Sequence, residues 1–320
     1  MTDHASPSST AAAAPPPIVR AASVRQPPEV AFAVFTEEIG AWWPLPTHGI
    51  FGARSGGVAF VDDRLVEYAT DGTSAVWGEV TAWEPPHRLV VSWHPGREAS
   101  DGSEVEVTFE PDGDGTRVIL EHRGWEHFGA DALERRRGYV GPGAWGYVLD
   151  HFGDGVEPRL DAPDTTDVAA GYDALFAEFE RGGFGAPDDG EWNAEEVLAH
   201  VALNDLAMVG VAQALVHGNE ARFENQVCQE PDALVRWITD CGDAKELVER
   251  GRRVARQAMA AVRRLSAEQR ATLVHCRMTH DGQVVLDDTR PWGVLAIDVQ
   301  AGMHLPAHVE QLRALRDGAT

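Results

Sequence analysis

The 320-residue sequence has a single lysine, Lys245, so arginine supplies every other basic side chain. It has three cysteines, Cys228, Cys241 and Cys276, an odd number with no CxxC pair. That excludes a disulfide framework and fits a reducing, cytoplasmic setting. No uninterrupted run of about 18 apolar residues occurs, so no membrane span is expected. There is no GxSxG elbow, no Walker loop and no GxGxxG ahead of a helix, which removes the usual signatures of serine hydrolases and nucleotide-binding folds. Positive charge is scarce: 27 basic against 51 acidic residues leave a net charge of -24. Such a field repels phosphate backbones and argues against a nucleic-acid partner.

What is present divides in two. The length suits two domains of about 150 residues. A hydrophobic fraction of 43% lets both build cores. Residues 1–17, MTDHASPSSTAAAAPPP, have an early Asp3 and no basic segment ahead of an apolar one. They read as a disordered tail, not a signal peptide. From residue 18 to 152 the pattern is strand-like, apart from an early helix near Pro28–Ile39 with proline in its first turn. Short runs such as GVAFVDD, RLVVSWH, EVEVTFEPD and TRVILEHRG are separated by turn pairs, including Asp71-Gly72 and Asp101-Gly102. This is the pattern of an antiparallel meander. Helical sequence returns over Ala130–Phe152, broken at Gly141-Pro142-Gly143. The expected fold is an α+β helix grip, a curved antiparallel sheet around a long C-terminal helix. A curved sheet and a rod leave a cavity between them.

Residues 153–165, GDGVEPRLDAPDT, have linker composition. Residues 166–320 turn helical: Ala169–Arg181, a helix capped by Asn193 and running to about His217, Ala244–Leu265, and Trp292–Arg316 with a kink expected at Pro306. A hairpin is expected over Thr272–Leu286, turning at Asp281-Gly282. The sum is an all-α four-helix bundle.

GEVTAWEPPHRLVVSW (Gly78 to Trp93), EVEVTFEPDGDGTRVILEHRGW (Glu104 to Trp125) and the segment Trp145–Phe152 resemble the START-like (SRPBCC) superfamily, in its branch of activator-of-heat-shock-ATPase homologues. The resemblance implies a domain that binds a small hydrophobic molecule, with Trp43, Trp77, Trp93, Trp125 and His122 as cavity candidates. Any one tryptophan is more often core packing than pocket lining. The eukaryotic co-chaperones of that branch carry a further chaperone-binding domain, and no equivalent segment is seen here. Members range from carriers to enzymes, so the fold leaves the function open.

In the second half, EWNAEEVLAHVALND and GMHLPAHVEQLRALR resemble the second and last helices of the DinB-like metalloproteins. His304 and His308 stand four apart, on one helical face. The resemblance implies that they and His200 are metal ligands. Three neutral imidazoles with an open position suit Zn²⁺ or Ni²⁺. In thiol-dependent members of that family, of the mycothiol-dependent type, the open position takes a low-molecular-weight thiol. Asp205, Glu196, Asp298 and Glu310 are candidates for the surrounding shell, and His275 and Cys276 for an approach from the hairpin. Two functions follow: a metal-dependent thiol transferase or hydrolase, or a non-catalytic ligand-binding or stress-response protein with a degenerate bundle. Oligomeric state is open, a homodimer included.

Overall fold

The computed structural model describes residues 14–280 and 282–318. Of the expected tail, residues 1–13 lie outside the described residues, as does Asp281 of the expected hairpin turn. The tail's far end is held: Arg136 Nε donates to the Pro16 carbonyl at 2.7 Å, and Nη2 reaches that of Pro17.

The first half begins with β1 (Ile18–Val24), α1 (Pro28–Glu37) and two single turns, α2 (Ile39–Trp42) and α3 (Leu45–His48). Then come β2 (Ser55–Val61), β3 (Arg64–Ala69), β4 (Ser74–Glu84), β5 (Arg88–Trp93), β6 (Ser103–Asp112) and β7 (Gly115–Arg123). The short α4 (Ala132–Arg137) leads to α5 (Trp145–Val156). The seven strands form one antiparallel sheet in the order β1-β7-β6-β5-β4-β3-β2, so the first strand pairs with the last. Alternation selects its inner face. Ser103, Val105, Val107 and Phe109 of β6 are buried, as are Thr116, Val118, Leu120 and His122 of β7. Trp145, Val148, Leu149, Phe152 and Val156 of α5 close over that face in the same core as Phe32 and Phe35 of α1. The half is thus a curled antiparallel sheet gripping a helix.

Helix α5 runs four residues into the stretch expected to be linker. Two glycines there, Gly153 and Gly155, disfavour helix. Burial of Phe152 and Val156 overrides that cost. Gly155 also lies against Arg264 and Trp42, where a Cβ would clash.

The second half is helical with a small sheet set into it. Its elements are α6 (Thr166–Glu180), α7 (Ala194–Val216), β8 (Arg222–Glu224), α8 (Pro231–Cys241), α9 (Ala244–Arg264), α10 (Ala267–Ala271), β9 (Leu273–His280) and β10 (Gln283–Pro291). A π-helical segment, Val294–His304, then runs into α11 (Leu305–Asp317). β9 and β10 are the expected hairpin, and β8 adds to it in parallel. Sequence patterning missed α8, whose Leu234 and Trp237 are buried. Asn193 caps α7 in a reciprocal box with Glu196. By length and composition α7 is apolar enough to cross a membrane, yet most of it is buried inside the protein.

At Pro306, where a kink was expected, the helix changes type just ahead of the proline. The Leu305 N–H bonds back five residues to the Gln300 carbonyl, and Pro306 then falls in the first turn of α11. A first-turn residue needs no intrahelical N–H, so the proline costs little there.

The halves share a core. Strand β2 is the sheet's edge, and α7 and α9 cover it. Gly56 and Gly57 let Leu206 approach the strand's backbone. Gln257 donates to the Val58 carbonyl at 2.7 Å, and Gln213 donates to the carbonyls of Gly40 and Ala41. Tyr68 of β3 packs on Trp237 of α8 at 5.2 Å between ring centroids. An edge strand that would otherwise template aggregation is sealed by the bundle.

Candidate metal centre

His200 sits within α7, His304 at the junction of the π-helical segment with α11, and His308 one turn further on. One ring nitrogen from each lies within 4.8 Å of the others. His200 is 4% exposed and the other two are half-buried. Trp192 lies over the His200 ring at 4.6 Å.

Hydrogen bonds orient the rings. His200 Nδ1 is 2.8 Å from the Cys228 carbonyl and must donate to it, so its Nε2 carries a lone pair turned inward. His308 Nδ1 lies 3.0 Å from Gln311 Oε1, the same arrangement with an amide oxygen. A ligating histidine is usually held this way, with its outer N–H on a carbonyl or similar acceptor. His304 Nε2 stands 3.3 Å from His200 Nε2. Its Nδ1 is buried with no hydrogen-bond partner.

The His200 and His304 nitrogens stand at the spacing of two ligands on one divalent ion. Two nitrogens each about 2.05 Å from a tetrahedral zinc stand about 3.3 Å apart. The rings are also held neutral, the form that ligates. Burial pushes His200 down to about 3, with the neighbouring His308 adding to it. Burial takes His304 well below the ordinary histidine value and lowers His308 as well.

None of the four acids expected in the surrounding shell bonds to these rings. Glu196 is committed to the Asn193 cap. Asp205 accepts from Tyr172 and Gln300 and is pushed up to about 8 by burial. Asp298 is exposed, and Glu310 pairs with Arg313. Nor does the hairpin supply a group as expected: Cys276 is buried with its thiol on the Val274 carbonyl, and His275 pairs with Asp287. Apart from the exposed Asp298, each of these residues has a nearer partner than the site. Of the groups that do hold the rings, Gln311 lies in the Gln311-Leu312 pair that carries the DinB-like resemblance, whereas the Cys228 carbonyl left no trace in the sequence, since a backbone carbonyl belongs to any residue. His280, at the end of β9, was also missed; its charge bears on both His200 and His308.

In the first half, Trp43, Trp77, Trp93, Trp125 and His122 are all buried. Trp43 and Trp93 line a cavity of about 20 Å³. Trp43 also packs on Trp77 at 5.0 Å. His122 is fully satisfied: Trp145 Nε1 donates to its Nδ1 at 2.9 Å, so its Nε2–H donates to Ser103 Oγ at 2.7 Å, and Ser103 donates to the Trp93 carbonyl. Burial pushes His122 down to about 3.

These features define the first half as a helix-grip domain of the START-like (SRPBCC) class. Its family is the one described as Activator of Hsp90 ATPase homolog 1-like protein, which matches residues 25–153. Among solved structures, an anthrahydroquino-γ-pyrone synthase, Txn09, is 34% identical over 45% of this chain and 98% of its own, with a TM-score of 0.33. The self-sacrificing resistance protein CalC from Micromonospora echinospora is 23% identical over 44% of this chain and 94% of its own, TM-score 0.31. The Aha1 dimer from Colwellia psychrerythraea is 16% identical over 44% and 96%, TM-score 0.32. No curated protein matches the chain.

Proposed function

We propose that the second half is a bundle of DinB type holding one divalent ion, Zn²⁺ or Ni²⁺, through His200, His304 and His308, and that the protein is a metal-dependent transferase or hydrolase. The observation that carries this is the convergence of three neutral ring nitrogens, two of them with the outer nitrogen held by an acceptor. When bound, the ion supplies Lewis acidity and an open position suited to a low-molecular-weight thiol. The chain's own residues hold the rings and exclude water: the Cys228 carbonyl and Gln311 fix two tautomers, and Trp192 covers the His200 ring. The first half serves as a domain for a small hydrophobic molecule, so the substrate's apolar part is recruited beside the bundle. Domain limits of 18–152 and 166–320 go with this reading.

A second reading keeps the ligand-binding half and makes the bundle non-catalytic. One observation favours it: among the described residues, no acid is hydrogen-bonded to the three histidines to serve as a general base. Elemental analysis of the purified full chain tests the metal claim. One ion per chain in the wild type, and background content in the His304→Ala/His308→Ala double variant, is the expected result. Equal content in both removes the site and the activity built on it.

A further inference from the structure

A concavity of about 280 Å³ in the first half is lined by Pro95, Arg97, Phe128, Arg135 and Tyr139 and by the buried Ser103 and Trp125. Its size is near the lower end of small-molecule sites, roughly 300 Å³ upward. Both arginines are half-buried, and neither forms an ion pair among the described residues. Both guanidinium groups are therefore free of a carboxylate, whereas Arg88, Arg123 and Arg313 each have one. Instead, the guanidinium groups lie over the same ring, Phe128, at 5.8 Å for Arg97 and 4.6 Å for Arg135. The charge of Arg97 is felt by buried His122 behind the pocket wall. Tyr139 Oη accepts from Trp93 Nε1 and has its own hydrogen to give. The remaining surface is aromatic: Trp125 and Tyr139 stand 5.6 Å apart.

From this we infer a binding site for a planar aromatic carboxylate at this concavity. The two guanidinium forks and the Tyr139 hydroxyl take the carboxylate, and the half-buried Tyr139 ring offers the ligand its face, with the buried Trp125 backing it. A carboxylate suits it better than a phosphate ester. The net charge of -24 repels a dianion more than a monoanion, and a carboxylate's two oxygens match a guanidinium fork. The inference rests on the reading of this half as a ligand-binding domain and gives that ligand a charge and a place.

Calorimetric titration of the full metal-loaded protein with 2-naphthoate, 2-naphthalenemethanol and phenyl phosphate tests it. Naphthoate is expected to bind at least tenfold more tightly than the alcohol and than phenyl phosphate. Arg97→Gln/Arg135→Gln should lose at least tenfold for naphthoate while leaving the alcohol unchanged, and each single variant should lose part of that. Equal binding of acid and alcohol overturns the inference and leaves the ligand-binding reading standing. Undiminished naphthoate binding in the variants also overturns it, and tighter phenyl phosphate overturns the choice of carboxylate. If none of the three binds, the inference and the ligand-binding reading both fail.

Discussion

His122 and His200 are both buried histidines pushed down to about 3, one in each half of the protein, yet their surroundings differ in kind. His122 ends a closed chain of hydrogen bonds: Trp145 gives to one nitrogen, Ser103 receives from the other, and the Trp93 carbonyl receives from Ser103. Nothing is left over, and the ring works as a pin between sheet and helix. His200 gives its Nδ1–H to a carbonyl, and its other nitrogen meets His304 and the open face of His308. Burial alone does not distinguish a structural histidine from a ligand. The distinguishing feature is whether every ring nitrogen has a complementary partner of its own.

Substitutions should separate the two. The largest effect is expected on metal affinity: His200→Ala should weaken zinc binding by about 100-fold or more, measured by chelator competition, while His122→Ala leaves it unchanged. On stability the order reverses. His122→Ala strands the Trp145 N–H and opens a cavity, so urea unfolding should show a loss of about 3 kcal/mol.

The acid response follows from the same burial. Below the ordinary value of 6.5 the unfolded chain takes up a proton that folded His122 refuses down to about 3. Stability therefore falls as pH drops through that window, by at most about 1.4 kcal/mol per pH unit from this group. His122→Gln should flatten the wild-type curve of unfolding energy against pH by that slope; an unchanged slope would mean the ring protonates while folded.

Two smaller effects sharpen the contrast. Gln311→Leu removes the acceptor behind His308 and should cost about tenfold in zinc affinity, with the melting temperature of the metal-free protein little changed. Asn193→Ala should cost about 1 kcal/mol by removing the cap of α7, whatever the metal content.

Much of this was legible in the sequence, for physical reasons. Alternation in Ser103–Asp112 and Gly115–Arg123 marks strands with one buried face; a surface or loop place was expected for His122, yet it faces inward with Val118 and Leu120. Asn193 with Glu196 announces the start of α7, and the four-residue spacing of His304 and His308 shows one face. Other features depend on contacts distant in sequence. The continuation of α5 through Gly153 and Gly155 follows from what Phe152 and Val156 bury. The π-helical segment before α11 has no periodicity signal that separates it from an α-helix. That β2 is sealed by α7 could be read only with both halves in view, since two glycines and a glutamine carry the contact. The acids named around the site failed for a related reason: sequence shows which residues can ionise, not which partner reaches them first.

The central claim is that three imidazoles share one ion, and X-ray absorption on the zinc-loaded full chain tests it most directly. The account predicts a first shell of nitrogen and oxygen at about 2.0–2.1 Å with the outer-shell scattering of three imidazole rings, falling to one ring or none in His304→Ala/His308→Ala. A shell containing sulfur at about 2.3 Å, or an imidazole count unchanged by that double substitution, would contradict it.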